Sequence, residues 1–294
     1  VATSRELKNK IRSVNNTKKI TRTMEMISTA KAVVCQRRIE ATQPYGDKLA
    51  EILRDLGGSG DGLSGSFPLL REVDKPTREA LFIVTANRGL CGGYNTNALK
   101  LAEQFIDTQA ANGIAVDVYM LGKKGISRFK YLGRDTVESM IHFEDRPTFE
   151  EAEAVLEPVM TSFEQGEIDG VSVVFTHYIN AARQAPVVRT LLPITVEDSG
   201  DDSSAKGGGG EFILEPSPEL ILGRLLPLSL KMQFFQALVE AAASEQIARR
   251  MAMKNATDNA EEMATKYTQL YNRTRQAAIT QEILEVIGGA EVLN

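Results

Sequence analysis

The chain has 294 residues, 43% hydrophobic and 25% charged, as in a soluble globular protein. No apolar run reaches the ~18–20 residues of a membrane span, and the N-terminal VATSRELKNK lacks the apolar core of a signal peptide. Two cysteines, Cys35 and Cys91, make no disulfide framework and point to a reducing compartment, and the two histidines, His142 and His177, have no Cys or His at zinc spacing, so no metal site is expected. The net charge of −5 conceals an asymmetry: residues 1–40 carry ten Lys/Arg and three Asp/Glu, leaving −12 for the rest. Such a basic arm is usually a solvated helix face; its sharper readings are nucleic acid or an acidic protein partner.

Residues 1–43 contain neither Pro nor Gly, and the pattern predicts one long helix, capped by Thr3 or Ser4 with Glu6 in the first turn. Pro44 is expected to kink or interrupt it, and KLAEILRDL resumes the pattern to Leu56. Leu7, Ile11 and Val14 follow a heptad rule, and the apolar register then shifts to Ile20, Met24 and Ile27. GGSGDGLSGSF (57–67) breaks the helix.

The middle of the chain alternates. ALFIVTA (80–86), IAVDVYML (114–121), TVESMI (136–141), VSVVFTHY (171–178) and VVRTLLPITV (187–196) read as strands, with helices near 95–111, 122–131 and 148–165. That order predicts a mainly parallel α/β sheet. EDSGDDSSAKGGGGE (197–211) is low-complexity and reads as a surface loop. A second long helix is expected over 218–287, with Pro227 kinking or delaying its start. Its predicted seam steps by threes and fours from Met253 through Ala256, Ala260, Met263, Tyr267, Leu270, Thr274, Ala277 and Gln281 to Leu284. The fold class expected is therefore a central Rossmann-like parallel-sheet domain plus a long antiparallel coiled coil of the N- and C-terminal helices. The domains expected are 1–56 (helix), 57–76 (linker), 77–215 (α/β domain) and 216–294 (helix).

Three stretches bear on chemistry. TANRGLCGGYN (85–95) follows a strand and opens a helix, as a phosphate loop would. However, Gly89, Gly92 and Gly93 do not make Gly-x-Gly-x-x-Gly, and no Gly-Lys-Ser/Thr ends it. LGKKGIS (121–127) has the wrong glycine spacing, and Cys91 has no histidine motif to activate it. A tight strand-to-helix connection is the favoured reading, with no catalytic residue and no cofactor. The basic face of RSVNNTKKITRTMEMISTAK (12–31) reads as a solvated coiled-coil side, with a DNA-binding region as the alternative. ILEVIGGAEVL (283–293) would be an exposed apolar patch on a monomer and predicts burial in another protein.

IRSVNNTKKITRTMEMISTAK, RGLCGGYN, SEQIARRMAMKNATDNA and YNRTRQAAITQEILEVIGGAEVL, in this order, resemble the γ subunits of F-type ATP synthases over essentially the whole length. The resemblance implies a non-catalytic rotor shaft: a coiled coil inside a ring of α and β subunits, and a central domain against the ε subunit and the c ring. It carries rotation of the c ring to the catalytic sites. It implies that Met24 lies against the β subunit's acidic lever, and that Arg275, Gln276, Thr280 and Glu282 meet the β catch loops and support Met24's neighbourhood. Ile283, Ile287, Val292 and Leu293 would form a bearing tip. Lys10, Arg12, Lys18 and Lys19 would face an acidic ring surface. The resemblance implies no nucleic acid, and membrane contact only through the complex. Cys35 and Cys91 do not match the regulatory pair of plant chloroplast members. That difference and the lack of a presequence predict the cytoplasmic face of a bacterial cell membrane. A nucleotide-dependent enzyme built on the central domain is the competing reading, and a DNA-binding or scaffold coiled coil a third.

Overall fold

A computed structural model describes residues 3–57, 67–141, 146–194 and 217–292. His142, the 197–211 loop and Leu293 lie outside the described residues. The elements in order are α1 (Ser4–Gly57), a 3-10 turn (Pro68–Leu70), β1 (Arg78–Val84), α2 (Tyr94–Ala111), β2 (Ala115–Leu121), α3 (Lys123–Leu132), β3 (Glu138–Met140), α4 (Phe149–Glu164), β4 (Gly170–Tyr178), β5 (Gln184–Leu192) and α5 (Pro218–Val292). The chain forms two compact units, one of residues 1–29 with 249–294 and one of residues 30–248, so each long helix contributes to both.

In the larger unit the strand order is β3-β2-β1-β4-β5. β1 pairs in parallel with β2 and β4, and β2 with β3, while β5 runs antiparallel to β4. The sheet is thus parallel except at one edge. Only Ile179–Arg183 separate β4 from β5, too few for the crossover that a parallel neighbour needs. Asn180 closes that turn, its side-chain oxygen accepting from the backbone of Ala182 and Arg183.

The central strands β1 and β4 are buried on both faces. Leu81, Ile83, Val118, Met120 and Val174 pack with Leu99, Ala102 and Phe129 of α2 and α3. Phe82, Val84, Val171, Val173 and Phe175 pack with Leu156 and Phe163 of α4, Leu49 and Leu53 of α1, and Phe234 and Leu238 of α5. The Phe82 and Phe234 rings lie 4.8 Å apart.

Both long helices run through their prolines. Pro44 and Pro227 lie inside α1 and α5. A mid-helix proline costs about 3 kcal/mol, but Leu49 and Leu53 follow the first, and Leu222, Leu226 and Leu230 bracket the second, all buried in the core. Fully burying one such side chain contributes roughly 1.5–3 kcal/mol, so the flanking turns outweigh the missing bond. Thr3 caps α1: its hydroxyl accepts from Glu6 N, and the Glu6 carboxylate accepts from Thr3 N.

Candidate functional site

The glycine loop between β1 and α2 is a packing element. Leu90 (φ 63°) and Gly92 (φ 58°) supply its left-handed turns, whereas Gly93 sits at φ −81° as the N-cap of α2. Of Gly89, Gly92 and Gly93 only Gly92 has positive φ, and a leucine takes the other such position. Cys91 is buried, with its sulfur 3.1 Å from Asn95 Nδ2, and Asn95 Oδ1 accepts from Ala86 N. Ala86, Cys91 and Tyr94 form a small apolar cluster that Ala248 of α5 covers. The Tyr94 hydroxyl donates to the carbonyl of Ala241 at 3.2 Å. The order β3-β2-β1-β4-β5 reverses direction between β1 and β4, and ligands of such sheets bind at the carboxyl ends of the strands there. Here the loop at the end of β1 packs against α5 instead.

In the smaller unit α1 and α5 run antiparallel. Lys10 lies over the Tyr267 ring, Lys18 Nζ is 2.8 Å from Glu261, and the Thr21 and Thr257 hydroxyls are 2.8 Å apart. The seam on α1 continues without a shift from Leu7, Ile11 and Val14 to Lys18, Thr21, Met24 and Ser28. Ile20 and Ile27, expected inside, are 61% and 52% exposed. On α5 the inward positions are Met253, Thr257, Ala260, Ala264, Tyr267, Tyr271 and Thr274. Met263 and Leu270 are each 45% exposed, contrary to expectation. Buried Thr21 and Thr257 satisfy each other, which lets polar positions occupy the seam while larger apolar residues stay outside.

The expected site residues fall into separate places. Met24 is half-buried in the seam. Arg275, Gln276, Thr280 and Glu282 are exposed, with the Thr280 hydroxyl donating to Gln276 O. The three cross-pairs place Met24 opposite about residue 254, so Arg275 lies some 21 residues further along α5, roughly 30 Å at 1.5 Å per residue. The implied support of Met24 by Arg275 and its neighbours is therefore not a contact. The same register brings the start of α1 opposite about Thr274, and α5 continues past it. Along that overhang Ala277, Gln281 and Leu284, expected in the seam, are exposed, as are Ile279, Ile283, Val286 and Ile287. Val292 is the last residue of α5. Among the basic residues, Lys10 and Lys18 turn onto α5, whereas Arg12 and Lys19 face outward.

Sequence reasoning missed a polar cluster in the larger unit. The Glu240 carboxylate on α5 meets His177 Nδ1, accepts from Tyr178 N at 3.2 Å, and lies 3.5 Å from Arg189. Arg189 also stacks on Phe175, 4.7 Å from its centroid. A groove of about 580 Å³ runs beside this cluster, lined also by Gln36, Glu40, Gln43 and Asp47 of α1. Glu240 and His177 are 63 residues apart; no local signal pairs them.

The family model described as ATP synthase matches residues 3–293. The ATP synthase gamma chain of Leptospira biflexa is 42% identical to this chain over 294 residues, the whole of both. The chain belongs to the ATP synthase gamma-chain family. The gamma chain of Gemmatimonas aurantiaca is 40% identical, covering 100% of this chain and 99% of that relative. Among solved structures, the gamma-chain fold is matched in the rotor of the Euglena gracilis mitochondrial ATP synthase, with a TM-score of 0.65 and 20% identity over 94% of this chain and 98% of that one. A chain in the central stalk and c-ring structure of the Tetrahymena thermophila enzyme matches at 0.57, with 21% identity over 81% of this chain and 99% of that one.

Proposed function

We propose that this chain is the central-stalk rotor subunit of an F-type ATP synthase, mechanical and not catalytic. It carries rotation of a membrane c ring into the ring of α and β subunits during proton-driven ATP synthesis. The observation that carries the reading is the overhang of α5, whose Ile279, Ile283, Leu284, Val286 and Ile287 are all exposed. Ile279, Ile283, Val286 and Ile287 share one face of this helix end, and an unpartnered apolar face of that kind belongs against another protein. A sleeve of apolar side chains would hold it without directional bonds, so it could turn.

An antiparallel pair of unlike helices has no threefold symmetry, so each of three equivalent neighbours meets a different face. Contacts of different free energy bias the neighbours' conformations differently, and rotation moves that bias from site to site. In this proposal Met24, Arg275, Gln276, Thr280 and Glu282 make such contacts with β, at two levels of the shaft. Ile283, Ile287, Val292 and Leu293 form the bearing, and Arg12 and Lys19 face acidic ring surface. The central domain meets ε and the c ring, on the cytoplasmic face of a bacterial cell membrane. The packed glycine loop speaks against the nucleotide-enzyme reading.

Native mass spectrometry of the tagged chain from its own host tests the proposal. One copy bound to three copies each of two nucleotide-binding subunits is expected. A monomer or homodimer under gentle conditions would overturn it, as would micromolar ATP binding to the isolated chain by calorimetry.

A further inference from the structure

We propose, on the basis of the rotor reading, that torque passes between the central domain and the shaft through α5, and that α1 is a flanking strut whose continuity the transfer does not need. Within the larger unit the two helices are held in different ways. From Leu225 to Ala248 no residue of α5 is exposed. On α1 exposed residues recur at Val33, Arg37, Glu40, Pro44, Asp47 and Glu51, in steps of three and four that trace one outward face. The core shows the same asymmetry. To it α5 supplies Leu226, Leu230, Phe234, Leu238 and Val239, among others, whereas α1 supplies Leu49 and Leu53. A helix covered all round is a core element, and one with an apolar stripe and a polar back lies on a surface.

Four elements grip α5 between Lys231 and Ala241, a length of about three turns. The Phe234 ring lies 4.8 Å from that of Phe82 on β1, and the Phe235 ring meets that of Phe149 on α4 edge-on at 5.8 Å. Lys231 Nζ lies 2.6 Å from the Glu153 carboxylate of α4, with only 13% of the lysine side chain exposed. The Glu240 carboxylate meets His177 Nδ1 and accepts from Tyr178 N of β4, and the Ala241 carbonyl accepts from Tyr94 of α2. Lys231 and Glu240 are about two and a half turns apart, so they point to opposite sides of the helix. Turning α5 in this seat would displace close-packed side chains on both sides, which protein interiors resist. The polar ties of α1 to the domain are fewer. Gln36 donates to the Tyr178 hydroxyl at 3.1 Å and Arg38 to the Pro147 carbonyl at 2.6 Å. A load on α1 is met on its covered face alone.

A protease recognition sequence inserted between Gln43 and Pro44, both exposed, allows α1 to be cut in the assembled, membrane-bound complex. The number of protons pumped per ATP hydrolysed is expected to be the same before and after cutting, because the residues ahead of the cut stay held by Lys18–Glu261 and Thr21–Thr257. Paired variants read the same claim in an uncut chain. Lys231→Ala/Glu240→Gln is expected to lower the proton gradient that ATP hydrolysis sustains, whereas Gln36→Ala/Arg38→Ala is expected to leave it at the parent's level. Pumping lost on cutting while hydrolysis continues would overturn the inference and leave the rotor reading standing. So would a lower gradient in the α1 pair than in the α5 pair. A parent chain that enters no such complex would remove both.

Discussion

Tyr94 at the start of α2 and Ala241 in the middle of α5 are joined by a hydrogen bond, the phenol donating to the helix carbonyl over 3.2 Å. The ring is buried and packs with Cys91 and Ala86, so the bond forms away from water. Tyr94→Phe keeps the ring and removes the donor. It is expected to lower stability by about 0.5–1.5 kcal/mol, whereas Tyr94→Ala is expected to cost about 3–5 kcal/mol, as aromatic-to-alanine changes in cores do. Urea unfolding followed by far-UV circular dichroism measures both. Equal losses for the two variants would mean that the hydroxyl, not the packed ring, holds the loop.

Gly122 and Gly113 both have positive φ, 106° and 78°, but their surroundings differ. A Cβ on Gly122 would stand 2.0 Å from the carbonyl oxygen of Thr85, a backbone atom that also belongs to the end of the sheet. Nothing lies within 4 Å of a Cβ on Gly113. Gly113→Ala is expected to cost about 1–2 kcal/mol, the left-handed penalty alone. Gly122→Ala adds the collision and is expected to exceed about 3 kcal/mol or to fail to fold. Comparable melting temperatures for the two variants would contradict the close crossing of Thr85 and Gly122.

Two carboxylates in the larger unit should respond to pH with opposite sign. Asp169 is held below the usual range, first by the Thr77 backbone N–H at 2.7 Å and then by the Thr77 hydroxyl and Arg78 N. Its contribution to stability is present above the unfolded-state value and is lost as pH falls through the folded-state one. Glu79 is pushed up, chiefly by burial, against the hydrogen bond that Gln109 donates. Its protonated form suits the fold, so its contribution is full below the unfolded-state value and is lost as pH rises through the folded-state one. Urea midpoints across pH 2.5–7 are expected to show Asp169→Asn converging on the parent as pH falls. Glu79→Gln is expected to gain on the parent as pH rises. Variant and parent profiles that stay parallel would refute either assignment.

The alternating order of the central domain was legible because each strand is an apolar run bounded by turn residues. The five-residue link after Tyr178 could have revealed the antiparallel edge, since no crossover fits in it. The two proline-bearing helices were harder, because local propensity at Pro44 and Pro227 speaks for a break, and only tertiary burial of Leu49, Leu53 and Leu226 overrides it. The coiled-coil seam misled for a related reason. Ile20, Ile27, Met263 and Leu270 are the more hydrophobic choices, yet Thr21 and Thr257 go inside because they satisfy each other across the helices. That pairing, like Glu240 with His177, depends on residues far apart in sequence and leaves no periodic trace. Among the residues that the family resemblance marked, Met24 lies in the seam on α1, Lys10 and Lys18 turn onto α5, and Arg275, Gln276, Thr280, Glu282, Ile283 and Ile287 are exposed on the overhang, so they do not form one cluster.

The last prediction concerns the overhang of α5. Residues 275–287 are exposed on every side, so their helix rests on its own backbone bonds. Most helical stability in proteins comes from a packed face, and without one a helix end is marginal in water. In the isolated chain, amide exchange past Thr274 is therefore expected to be fast, while amides near Met253, Thr257 and Ala260 stay protected. A chain ended after Thr274 should melt within about 0.5 kcal/mol of the parent, as changes to surface groups do. In the assembled complex the same amides are expected to become protected, because Ile283, Leu284 and Ile287 would then be covered. Strong protection past Thr274 in the free chain would mean that the tip folds without a partner. Fast exchange there in the complex would mean that no sleeve surrounds it, and the bearing would have to be sought on the exposed Ile20 and Ile27 face of α1 instead.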